Sequence, residues 1–132
     1  MKFTYPLLFL LLSFSQANGL LAQDADRTMN QIQSAFTKGS ASELAVYFHT
    51  TIDLEIPGTE GSYRDKQAEI ILDKFFKTHP VKSFKLNHKG ASNNGSKYMI
   101  GTYSADKAYR VYVLLKLSDG KLRINTIQLE ED

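Results

Sequence analysis

The stretch KSFKLNHKGASNNGSKYMIGTYSADKAYRVYVLLKLSDGKLRINTIQLE, residues 82–130, decides the fold. Apolar and polar residues alternate along it, the period-two signature of strands with one buried face. Four strands follow. In 83–89, Phe84, Leu86 and His88 share a face opposite Lys85, Asn87 and Lys89, and the Ser- and Asn-rich segment 90–95 is a turn. In 96–104, Tyr98, Ile100 and Thr102 alternate with Met99, Gly101 and Tyr103. In 108–117, Tyr109, Val111, Val113, Leu115 and Leu117 alternate with Arg110, Tyr112, Leu114 and Lys116. Asp119-Gly120 is a hairpin dipeptide, because both positions tolerate positive φ. In 121–129 the apolar series slips from Leu122 and Ile124 to Ile127 and Leu129, which predicts a bulge near Asn125 or Thr126.

Upstream the period changes. Met29, Ile32, Ala35 and Phe36 recur at helical spacing, predicting a helix over 26–38 with Asp26 as cap and Gly39 as terminator. Ser40 and Glu43 form a capping box ahead of a short helix carrying Leu44, Tyr47 and Phe48. Residues 51–56 alternate, with Ile52, Leu54 and Ile56 against Asp53 and Glu55, until Pro57-Gly58 breaks the strand. Residues 62–64 suit a brief return strand, and Asp65 is placed to cap the next helix. Ala68, Ile71, Leu72, Phe75 and Phe76 form the clearest amphipathic stripe in the chain, ended by Pro80. The order α-α-β-α-β-β-β-β describes an α+β domain, three N-terminal helices packed on a curved antiparallel sheet whose concave side can enclose a pocket.

At 132 residues with 42% hydrophobic content, there is room for one domain and one core. Residues 1–22 read as a signal peptide: Lys2, then an apolar run from Leu7 to Leu12, then the small residues Ala17, Gly19 and Ala22. Cleavage after Gly19 fits the small-x-small rule, while cleavage after Ala22, favoured here, leaves Gln23 first and a single domain over 23–132. The apolar run is short for a bilayer span, so no stable membrane anchor is expected after cleavage, and the product is expected to be exported, periplasmic or secreted. The absence of cysteine excludes disulfides, thiol catalysis and lipobox lipidation. Removing the leader takes one Lys from 16 basic and 14 acidic residues, leaving a formal charge of +1. Basic residues concentrate between Arg64 and Arg123, while the segment 24–60 and the tail Glu130, Glu131 and Asp132 are acidic. Such a distribution suits ordinary solvated faces or an envelope polyanion-binding surface; export argues against nucleic acid as partner.

Tyr47-Phe48, Thr50-Thr51-Ile52-Asp53-Leu54, Pro57-Gly58 with Glu60-Gly61, Phe75-Phe76 before Pro80, and Ser83-Phe84-Lys85 through His88-Lys89-Gly90 together resemble a domain-of-unknown-function family of exported Bacteroidota proteins. Gly95-Ser96-Lys97-Tyr98, Ile100-Gly101-Thr102 and Arg110-Val111-Tyr112 extend the resemblance. The element order looks like the cone-shaped nuclear transport factor 2-like, cystatin-like fold. The resemblance implies that fold across the mature chain. It implies no function, since the superfamily includes an isomerase, dehydratases, cyclases, scaffold-like dimers and domains without known ligand.

Candidate residues follow from their faces. Asp53 is a candidate general base only if its strand face turns inward; the apolar set competes for the interior and leaves Asp53 and Glu55 solvated or capping a turn. His88, on the face of Phe84 and Leu86, is a candidate acid, base or ligand donor at a pocket rim, against the commoner outcome of a satisfied strand-end histidine. His49 and His79 sit where a cation suits terminal carbonyls. Tyr98, Tyr103, Tyr112, Tyr109 and Arg110 lie on adjacent strands; tyrosines combine an apolar ring with a polar tip, and an arginine among them suits a carboxylate or phosphate. Tyr98, Tyr103, Tyr112, Arg110 and His88 are thus the candidate ligand-binding set, with the outer face of an ordinary sheet as the alternative. No metal-ligand spacing, phosphate loop or nucleophile elbow is found, and no cofactor is expected. The expected function is non-catalytic binding of a small apolar or amphipathic ligand, or homodimerisation through the sheet. The enzymatic alternative is a small isomerase, dehydratase or cyclase with His88 or Asp53 as base.

Overall fold

The computed structural model describes the backbone from Ser15 to Asp132 and the side chains from Ala22 onward. The apolar run of the predicted leader lies outside the described residues. Helix α1 spans Ser15–Lys38, α2 Ala41–Ala45 and α3 Asp65–Thr78; strands β1 to β6 span Phe48–Ile56, Thr59–Arg64, Ser83–Ala91, Lys97–Ser104, Ala108–Ser118 and Lys121–Glu131. The first helix begins well before residue 26, so Asp26 lies inside it and is not a cap. Its carboxylate instead stands 3.8 Å from Lys89 Nζ.

Gly39 ends α1 with φ +62°, the Gly39 N–H donating to the Phe36 carbonyl and the Ser40 N–H to the Ala35 carbonyl. This is a Schellman closure, which a left-handed glycine permits. Ser40 caps α2 by accepting from the Glu43 N–H at 3.2 Å. The reciprocal half of the capping box is absent: the Ser40 N–H is taken by the Ala35 carbonyl, and the Glu43 carboxylate pairs with Lys38 Nζ at 3.2 Å. At α3, Arg64 is the cap residue and Asp65 opens the first turn, its carboxylate accepting from the Lys66 N–H.

The six strands form one sheet in the order β2-β1-β6-β5-β4-β3. Four pairs are antiparallel and β1 pairs with β6 in parallel. The parallel pair arises because α3 carries the chain from β2 at one edge to β3 at the other, and the remaining hairpins return it beside β1. The brief return strand expected at 62–64 extends from Thr59, and Thr51–Ile56 extends back to Phe48.

One face of this sheet is apolar over most of its extent. Ile52, Leu54 and Ile56, Met99 and Tyr103, Val111, Val113 and Leu115, then Leu122, Ile124, Ile127 and Leu129 are all buried. Helix α1 covers β3 and β4, while α3 covers β1 and β2. Phe36, fully buried, packs edge-on against Phe76 and stacks on Phe84 at 5.0 Å. Continuous burial of this kind is the main stabilising term available without cross-links. In β6 the register shifts between Leu115↔Ile124 and Leu114↔Thr126, leaving Asn125 extra at the expected bulge. It restores the inward series from Ile127 onward.

Candidate functional site

A second bulge relocates a candidate residue. Leu86 pairs with Gly101 but His88 pairs with Ile100, leaving Asn87 extra in β3. His88 is therefore not on the face of Phe84 and Leu86; the bulge turns it to the outer surface beside Ile100, and Lys89, opposite the buried Met99, takes the inner position. On that surface the His88 Nε2 lies 2.8 Å from the Tyr98 hydroxyl, and the Asn87 amide donates to Thr102 Oγ1 at 2.8 Å. Gly90 lies under the Tyr98 ring: a Cβ there would stand 2.5 Å from the phenolic oxygen. Arg110, Tyr112 and Thr102 share this outer face by register. Tyr103 does not; it is fully buried on the inner face, donating its hydroxyl to the His79 carbonyl at 2.6 Å. The five candidate ligand residues are thus divided between the two faces.

Asp53 and Glu55 are on the outer face too, opposite buried Ile52, Leu54 and Ile56. The Asp53 carboxylate accepts from the Ser62 hydroxyl and, with Glu55 and Glu60, borders a shallow depression of about 220 Å³. His88 on β3 and Asp53 on β1 are separated in the sheet by β6, β5 and β4, so nothing brings them together. The basic residues are distributed rather than gathered on one face: Arg110 and Lys116 project outward, while Lys97 and Lys89 sit at inward register positions.

The concave side is filled over most of its length by Phe36, Phe76, Phe84 and Tyr103, and opens at one end. There, a cavity of about 650 Å³ lies between the start of α1, the α2–β1 junction and the β5–β6 hairpin. Its volume falls in the range that takes small molecules. Ala25, Val46, Leu117 and Leu122 supply apolar wall, and Arg27, Lys97, Lys121 and Arg123 are the basic residues along it. Two hydrogen bonds to backbone carbonyls hold the junction: the Tyr47 carbonyl accepts from the Ile124 N–H at 2.7 Å, and the Val46 carbonyl accepts from the Arg123 side-chain Nη1 at 3.0 Å. Val46 and Leu117 are 64% and 53% exposed, two of the three large apolar side chains left in water among the described residues. The Tyr47 hydroxyl donates to the Gln31 amide oxygen, and Tyr47, with Val46, borders both this cavity and a shallower one of about 260 Å³.

At the opposite end of the sheet lies a cluster that sequence reasoning missed. His79 Nδ1 stands 2.9 Å from Asp106 Oδ1, and the Tyr109 hydroxyl donates to the same oxygen at 3.3 Å. The hydrogen bond from His79 holds the Asp106 carboxyl below its ordinary pKa. Burial, with Asp106 and Tyr109 nearby, pushes the Tyr103 phenol up to about 12. Burial raises Tyr109 as well, and the neighbouring Asp106 adds to the effect. The Phe75 ring packs on His79 at 4.6 Å, so the cluster fastens the end of α3 to the β4–β5 turn. Among the described residues no three His, Cys, Asp or Glu side chains gather as metal ligands, and no helix is long and apolar enough to cross a membrane.

Three helices against a curved six-stranded sheet that opens at one end define a nuclear transport factor 2-like, cystatin-like domain. The chain belongs to the family described as domain of unknown function DUF4783, whose model matches residues 29–130. A DUF4783 family protein from Bacteroides ovatus is similar over 77% of this chain and 93% of its own, at 26% identity and a TM-score of 0.74. Two more distant structures share the fold alone. One is a domain of unknown function with a cystatin-like fold from Nostoc punctiforme, with a TM-score of 0.64 and 17% identity over 83% of this chain and 78% of that one. The other is an NTF-2 like protein of unknown function from Burkholderia xenovorans, with a TM-score of 0.61 and 11% identity over 86% and 88%. No curated protein matches.

Proposed function

We propose that this is an exported, non-catalytic binding domain that takes a small apolar or amphipathic molecule into the open end of its cone. The observation that carries the reading is the exposure of Val46 and Leu117 on the wall of a 650 Å³ cavity. Large apolar side chains left in water beside a concavity are a feature of ligand and partner sites, since covering them releases ordered solvent. The core beneath is already filled, so these residues are not needed to close it. The catalytic alternative finds less support, because His88 and Asp53 face solvent rather than an enclosed, desolvated site where a base could be tuned.

The test is a thermal-shift and native mass spectrometry screen of the purified protein against short-chain fatty acids, alcohols, sterols and aromatic acids. Saturable stabilisation by at least one class, lost on Leu117→Asp, supports the reading. Absence of any stabilisation across the screen contradicts it, and a ligand-free dimer that buries Val46 and Leu117 would reassign the surface to self-association.

A further inference from the structure

Charge is distributed unevenly along the molecule. Arg27, Lys97, Lys121 and Arg123 line the open end against one carboxylate, Asp24, whereas Glu55, Glu60, Glu130 and Glu131 gather at the far end of the sheet. Asp24 does little to neutralise the opening. It stands 3.8 Å from Arg27, and both side chains are 69% exposed, so solvent screens the contact. Among the described residues no carboxylate pairs with Lys97, Lys121 or Arg123. Arg123 is nonetheless fixed in place, because Nη1 donates to the Val46 carbonyl, a bond that orients the guanidinium without compensating its charge.

We infer that the ligands of this cavity are anionic amphiphiles, with an apolar body against Ala25, Val46, Leu117 and Leu122 and a carboxylate or phosphate head among the cationic residues Arg27, Lys97, Lys121 and Arg123 that border its opening. The inference rests on the binding function proposed above. Ammonium and guanidinium groups both donate to such oxygens, and the guanidinium does so in two-pronged fashion. Apolar walls and cations share one concavity, so a head and a body on the same molecule satisfy both at once. A long polyanion would meet the cations but leave Val46 and Leu117 in water, and a neutral apolar molecule would leave the cations unused.

The test is isothermal titration of the purified protein with decanoate, decyl phosphate, decanol and inorganic phosphate, at low and at high salt. Decanoate and decyl phosphate are expected to bind about two- to fivefold more tightly than decanol, the advantage of a solvent-accessible ion pair, and the advantage should shrink at high salt. Lys97→Gln combined with Lys121→Gln should lower the decanoate affinity by a similar factor, with the melting temperature confirming that the variant is folded. Equal affinity for decanoate and decanol overturns the anionic class while leaving the binding function standing. Inorganic phosphate binding as tightly as decyl phosphate also overturns it, because the body would then contribute nothing. If none of the four probes binds, the binding function itself falls.

Discussion

His88 Nε2 and the Tyr98 hydroxyl meet at 2.8 Å on the outer face of the sheet because Asn87 is inserted between the pairs Leu86↔Gly101 and His88↔Ile100. Without the insertion, strict alternation would turn His88 inward and Lys89 outward, and a lysine opposite the buried Met99 would be traded for a histidine. The bulge decides which chemistry the outer surface presents. It sits on an edge strand, where an extra residue also spoils the flat edge that invites pairing with another chain.

Gly90→Ala tests how tightly that surface is packed. The added methyl would meet the Tyr98 ring at 2.5 to 2.8 Å, so the ring must swing away from His88. A destabilisation of about 1 kcal/mol is expected, at the low end of overpacking costs because a tyrosine tip can move. Urea denaturation gives the energy, and a changed His88 imidazole shift in NMR reports the broken contact; an unmoved imidazole signal would contradict the arrangement.

Phe36→Ala should be severe. The side chain is fully buried between Phe76 and Phe84, and large-to-small changes at such sites cost about 3–5 kcal/mol. A cysteine-free domain with a typical stability of about 5–15 kcal/mol has little else to draw on. Equilibrium urea unfolding is expected to show a midpoint shift of that size, and a loss under about 1 kcal/mol would mean that the aromatic layer is not the centre of the core.

The His79, Asp106, Tyr103 and Tyr109 cluster predicts two pH limbs. The Tyr103 pKa is raised in the fold from 10.0 to about 12, so its contribution is whole below pH 10 and is lost as pH rises through about 12. That loss is on the order of 2 kcal/mol. Tyr103→Phe should flatten this alkaline limb. Asp106 has the opposite sign: its pKa is lowered in the fold, so its stabilisation is present above the unfolded carboxyl pKa and is lost as pH falls through the folded one. Asp106→Asn should therefore be less stable than the parent at neutral pH and show a shallower acid limb. Urea midpoints across the pH range measure both, and parallel curves for parent and variants would rule out the cluster as the source.

Leu117→Ser separates binding from folding. Leu117 is more than half exposed, so the change should alter stability by no more than about 0.5 kcal/mol. Removing apolar wall from the cavity should nevertheless weaken decanol binding several-fold. Tyr47→Ala acts in the other direction, removing a ring that borders both the cavity and its shallower neighbour, so preference should move toward longer chains. Titration of a chain-length series measures both effects, and an unchanged preference in Tyr47→Ala would show that the ring does not limit the cavity.

Much of the architecture could be read from alternation alone, because the inward series of β4, β5 and β6 consists of residues with little choice of environment. The slip from Ile124 to Ile127 even marked the Asn125 bulge. The Asn87 bulge escaped because Phe84, Leu86 and His88 continue an unbroken alternation, and histidine is tolerated on either face. The parallel β1–β6 pairing is a long-range consequence of the α3 crossover and leaves no local mark. The cavity escaped for a related reason: Ala25, Val46, Leu117 and Lys121 come from separate elements, and none belongs to a motif. Similarly, His79 and Asp106 are 27 positions apart and meet only because α3 ends beside the β4–β5 turn.

The central claim, that the open end of the cone holds the apolar body of a ligand, is tested most directly by titrating decanoate into isotope-labelled protein and mapping amide shifts. The account predicts saturable changes concentrated at Ala25, Val46, Tyr47, Leu117 and Leu122, with the outer-face residues Tyr98, Arg110 and Tyr112 unmoved. Changes centred on that outer face, or no saturable change anywhere, would contradict it.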